Sequence, residues 1–110
     1  MMIQDIAKCF QDWNGGDDDS DAYDASKCEY LAFERVENKL STRPDLHAFL
    51  LLNQLVPGNR DMICSASHDE IWLEVRPEEL AKVATPEQIR DLVRCGVRYD
   101  SDNDSLCMFA

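Results

Sequence analysis

The chain has no C-x-x-C pair, no glycine-rich phosphate loop, no dinucleotide fingerprint and no H-E-x-x-H. Each of those motifs sets ligands or phosphate-facing amides at a spacing its chemistry requires. Their absence leaves no catalytic signature, and the expectation is a protein that is not an enzyme and carries no cofactor. Basic residues are scarce, 11 Lys and Arg against 22 Asp and Glu, for a net charge of −11 on 110 residues. A field this negative repels nucleic-acid phosphates, whose binding requires cations that release counterions. Direct nucleic-acid binding and anionic membrane surfaces are therefore excluded as partners. Long apolar runs are missing too: stretches such as Ala48–Leu52 fall far short of the ~18 residues that cross a bilayer. Met1–Phe10 carries Asp5 and lacks the apolar core of a signal peptide.

Five cysteines are present, Cys9, Cys28, Cys64, Cys95 and Cys107. Their odd number and apolar neighbours point to reduced, buried thiols and a cytoplasmic protein. Hydrophobic residues make up 45% of the chain. A length of 110 residues suits one domain, 1–110, burying roughly 65% of its unfolded surface without metal or disulfide.

Ile3, Ile6, Phe10 and Trp13 recur at helical spacing, and Asn14-Gly15-Gly16 stops that helix. An acidic loop follows at about 14–21. Ser20 or Asp21 then caps a second helix reaching about Leu40, on the apolar line Ala25, Cys28, Ala32, Val36 and Leu40. Pro44 opens a third helix, apolar nearly all round and so expected to be buried, which ends at Val56-Pro57-Gly58-Asn59. Met62–Ala66 and Ile71–Val75 form a hairpin with Ile71, Leu73 and Val75 on one face and Trp72 and Glu74 on the other. Pro77 opens a short helix. Thr85-Pro86-Glu87-Gln88 starts another with a capping box, and Gly96 suits its left-handed C-terminal position. Val97-Arg98-Tyr99 and Leu106–Phe109 make a last hairpin. The expected class is α+β: three N-terminal helices, a β-hairpin, two short helices and a C-terminal hairpin, forming a small antiparallel sheet.

Asp17, Asp19, Asp21 and Asp100, Asp102, Asp104 share the rhythm of calcium loops. Calcium loops also need a glycine at the sixth position and a glutamate at the twelfth. Ala22 and Cys28 stand there in the first segment, and Ser105 stands at the sixth position in the second. No metal site is assigned. Cys64 and His68 are one zinc-like pair without two further ligands, and Cys64, His68 and Asp69 lack an oxyanion loop or glycine elbow. The helices of Pro77–Cys95 present four acids (Glu78, Glu79, Glu87, Asp91) against Lys82, Arg90 and Arg94, which is no nucleic-acid recognition surface.

The acids themselves are the strongest signal. Asp17, Asp18, Asp19, Asp21 and Asp24 lie within eight residues. Carboxylates two apart on an extended chain sit roughly 7 Å apart, and those four apart on a helix roughly 6 Å. Both spacings compare with successive phosphates along a DNA strand. Asp69, Glu70 and Glu74 add to the field, with Trp72 between them as an aromatic anchor if its strand face is open. In size, acidity and lack of catalytic motifs the chain resembles small acidic accessory proteins of phages and mobile elements, of the anti-CRISPR and anti-defence, nucleic-acid-mimic type. That resemblance implies an inhibitor acting in the host cytoplasm on a protein with a basic, nucleic-acid-handling surface. The partner-binding residues expected are Asp17, Asp18, Asp19, Asp21, Asp24, Asp69, Glu70, Trp72, Glu74, Asp100, Asp102 and Asp104. An oligomerising structural or regulatory subunit is the alternative, and a divalent-cation-binding protein the third reading.

Overall fold

In a computed structural model, which describes residues 3–13 and 29–109, the Ile6–Phe10–Trp13 line becomes one face of helix α1, Ile3–Trp13. Ile6 and Phe10 are buried. Helix α2 spans Pro44–Leu55, strand β1 Ile63–Ser67, strand β2 Glu70–Leu73, helix α3 Pro77–Val83 and helix α4 Pro86–Arg94. Strands β3, Arg98–Asp100, and β4, Ser105–Phe109, follow. The described part is thus α+β, with four α-helices and one antiparallel sheet in the order β1-β2-β4-β3.

Local chemistry explains most boundaries. Proline stands in the first turn of α2, α3 and α4, where its missing N–H costs nothing. Thr85 caps α4 through a complete capping box: its Oγ1 accepts from Gln88 N–H at 3.2 Å, and Gln88 Oε1 accepts from Thr85 N–H at 2.8 Å. Gly96 then turns the chain at φ +96°. Ile89, Leu92 and Val93 form the buried stripe of α4.

The register sorts the sheet into two faces. Ile71 pairs with Met108, and Leu106 pairs with both Leu73 and Tyr99; this face meets the helices. Ile6, Phe10, Leu80, Ile89, Leu92 and Val93 join it in one core. Each fully buried aliphatic side chain there contributes about 1.5–3 kcal/mol. The other face carries Glu70, Trp72, Cys107, Phe109, Arg98 and Asp100.

Three expectations are corrected. The second helix does not extend through 29–40. That segment holds only a 3₁₀ turn, Phe33–Arg35, with Leu31 and Asn38 at positive φ. Its groups are drawn into tertiary bonds instead: Leu31 N–H donates to Val93 C=O, and Leu40 N–H to His47 Nδ1. The earlier part of that helix, its Ser20 or Asp21 cap and the acidic loop lie outside the described residues. Helix α2 is not buried all round. His47, Ala48, Leu51 and Leu52 face inward, while Leu46 and Leu50 are exposed because no described element covers that side. Cys64 is exposed rather than buried. It is the extra residue of a β-bulge between Ile63 and Ser65, which carries it out of the ladder. Cys95 and Cys107 are buried as expected, Cys9 is intermediate, and Cys28 lies outside the described residues.

Candidate acidic interface

Strand register decides which carboxylates meet. Glu74 N–H donates to Met62 C=O at 2.6 Å, so Asp61 sits beside the end of β2. Asp100 pairs with Ser105, and Leu106 with Leu73, which brings the 101–104 turn to that same end. Neighbouring strands lie ~4.8 Å apart. The fold therefore gathers Asp61, Glu74, Asp100, Asp102 and Asp104 along one rim of the sheet. Arg60 reaches Glu74 at 3.7 Å, an exposed pair worth little. Asp69 and Glu70 stand at the opposite rim, roughly 13 Å away along β2. Asp17, Asp18, Asp19, Asp21 and Asp24 lie outside the described residues.

The rim is held in shape from within. Asp100 Oδ2 accepts from Trp72 Nε1–H at 3.0 Å and from Asn103 Nδ2–H at 2.6 Å. Its Oδ1 accepts from the backbone N–H of Asp102 and Asn103. These donors, Asn103 foremost, hold the Asp100 carboxyl below its ordinary pKa, so it stays ionised. Tyr99 donates its hydroxyl proton to Asp104 Oδ1 at 2.5 Å, and that bond, ahead of burial, pushes the phenol up to about 12. Asp104 takes φ +47° to close the turn. Asp100 and Asp104 thus serve the turn while keeping their charges in fixed positions.

Trp72 is half-buried, so it does not project as a free anchor. Its ring lies on the sheet face away from the core, beside Cys107 and Arg98. Arg98 ion-pairs with Glu70 and stacks over Phe109 with its guanidinium carbon 4.0 Å from the ring centroid. Under this layer Cys107 is only 1% exposed, and burial first pushes its thiol up to about 11. Of the expected contact residues on this face, Glu70 is therefore neutralised locally. Phe109, 57% exposed, is the prominent apolar group there and drew no attention in the sequence.

A second cluster marks where residues 14–28 leave and rejoin the described fold. Glu29 N–H donates to Trp13 C=O at 2.7 Å. Trp13 Nε1–H donates to Pro86 C=O at 3.0 Å, and Arg90 lies over the Trp13 ring. The buried Arg94 gives Nε–H to Glu29 Oε2 at 3.0 Å, and further bonds to Asp91 Oδ1 and Arg35 C=O. Trp13 and Glu29, the described residues on either side of 14–28, thus meet beside α4. The sequence placed Arg94 among the exposed bases of these helices; it is buried instead, because its partner Glu29 is 65 positions away.

Among the described residues no three His, Cys, Asp or Glu side chains are grouped to hold a metal ion. Cys64 donates Sγ–H to Trp72 C=O at 3.4 Å, and partial burial, then Glu74, raises its thiol pKa, the opposite of an activated nucleophile. Also among the described residues, no helix is long and apolar enough to cross a membrane. Comparison with family models, curated proteins and solved structures gave no match.

Proposed function

We propose that this is a non-enzymatic acidic protein that occupies a basic, nucleic-acid-binding surface of a partner protein and blocks it, in the manner of a phage anti-defence or anti-CRISPR inhibitor. The observation that carries the reading is the rim of Asp61, Glu74, Asp100, Asp102 and Asp104. Its charges come from three places in the chain; internal donors orient Asp100 and Asp104, and those on Asp100 keep it ionised. Ordered charge of one sign complements a Lys/Arg groove at less entropic cost than mobile side chains do, and it speeds encounter. The run Asp17, Asp18, Asp19, Asp21, Asp24 adds negative charge that steers encounter. Trp72 acts through Asp100, as the residue that positions the rim.

Affinity capture from the native host's lysate, with and without nuclease, names the partner. Duplex oligonucleotide then competes for it, and affinity falls steeply with salt. Exchanging Asp61→Asn, Glu74→Gln and Asp102→Asn together weakens binding several-fold. Binding that ignores both salt and nucleic acid refutes the mimic reading. An oligomerising subunit is the second reading, favoured by Leu46 and Leu50, one helical turn apart and 42% and 38% exposed. Light scattering at micromolar concentration separates the two, since that reading requires a particle larger than a monomer.

A further inference from the structure

Among the described residues, strand β1 ends the sheet with nothing paired to its outer side. All five of its residues are exposed. Ser67 and Glu70 close a two-residue turn as a hydrogen-bonded pair, so Ser65 faces Trp72 in the same way. Alternation then points Ala66 N–H and C=O out of the sheet. Edge strands are normally guarded by Lys, Pro or an inward charge. Met62 to Ser67 contains none of these, and the side chains of Ser65, Ala66 and Ser67 are small. The bulge at Cys64 limits the open stretch to Ser65–Ser67 without closing it.

We infer that this edge accepts an extended, cationic segment of the partner as an added antiparallel strand. The inference rests on the reading above that the partner is basic. Charge complementarity selects the occupant. Asp61 and Asp69 bracket the edge, eight positions apart. A second copy pairing antiparallel about Ser65 would set Asp61 against Asp69 at both ends, and like charges directly opposite are destabilising. A strand with Lys or Arg near each end meets an acid at both. Backbone bonds to Ala66 would supply the register, and the bracketing acids the preference.

The test uses the isotope-labelled full chain at low salt, titrated with a short alternating Val/Thr peptide bearing Lys at both ends, and with its Glu-ended counterpart. The Lys-ended peptide shifts backbone amides of residues 64–68, and the Glu-ended one does not. Ala66→Pro removes the outward N–H and weakens binding about tenfold or more. Ala66→Lys, which keeps that N–H and guards the edge with charge, weakens it as well, and each variant's amide spectrum reports its fold. Equal binding of both peptides, shifts confined to Arg98–Phe109, or full affinity in a folded Ala66→Lys variant overturns edge pairing. If the captured partner still binds that variant in a salt-dependent way, the acidic-rim reading stands while this inference falls. If the captured partner's binding to the wild type is itself indifferent to salt, both fall.

Discussion

The indole N–H of Trp72 donates to Oδ2 of Asp100 at 3.0 Å, tying the first hairpin to the second across β4. Trp72→Phe keeps an aromatic ring in place, with part of the indole's contact, and loses this bond. It is expected to cost about 0.5–1.5 kcal/mol in urea denaturation. Asp100→Ala costs more, about 2 kcal/mol, because the Trp72 and Asn103 donors both lose their acceptor. Equal stability of the two variants would show that Asp100 does not organise the turn.

Arg94 is buried against Glu29 and Asp91. Arg94→Gln leaves Asp91 without this cation and Glu29 with only the more exposed Arg35, and is expected to cost about 3 kcal/mol. Burial raises the Glu29 pKa, but hydrogen bonds from Arg94 and Arg35 together outweigh it, and the carboxyl sits below its ordinary 4.5. A lowered carboxyl pKa stabilises the fold above the unfolded value, and that contribution is lost as pH falls through the folded one. Denaturation midpoints of wild type and variant should therefore converge on acidification below about pH 4.5.

His47 is 3% exposed, with Nδ1 accepting from Leu40 N–H at 3.0 Å and its ring edge-on to Phe33. Burial, with Lys39 assisting and Asp91 opposing, holds its pKa below the ordinary 6.5. The unfolded chain takes up the proton first, so stability declines as pH falls from 6.5 toward the folded value. His47→Leu is expected to be less stable at neutral pH by about 1–3 kcal/mol, because Leu40 N–H loses its acceptor. Its stability should also lack the wild-type slope in this window. An unchanged slope would assign that titration elsewhere.

Gly96 stands at φ +96°, and a Cβ there would meet Leu31 Cδ2 at 3.0 Å. Leu31 is exposed and its side chain can turn away, so the cost of Gly96→Ala is mainly backbone strain, about 1–2 kcal/mol. Asn tolerates the left-handed region better, so Gly96→Asn should lose less in thermal unfolding. The reverse order would place the cost in the contact with Leu31.

Elements whose signals lie within a few residues were legible in the chain itself. Thr85 and Gln88 announce the start of α4, Gly96 its end, and Pro44 and Pro77 the starts of α2 and α3. Alternation of Ile71, Leu73 and Val75 marks the covered face of β2. These rest on caps, fixed φ angles and side-chain periodicity, all local physics. The segment 29–40 was misread because its apolar line suits a helix, while Arg94 and Val93, more than 60 positions away, and His47, beyond the start of α2, draw its polar groups elsewhere.

The candidate site divides in the same way. Composition alone set the sign and size of the charge. Which acids stand together was decided by strand pairing: register brought Asp61 beside Glu74 and the Asp100–Asp104 turn, and sent Asp69 and Glu70 to the far rim. Spacing along a chain fixes charge separation only within one helix or strand. Between strands, separation depends on hydrogen-bonded register, which exists only once the whole sheet has formed.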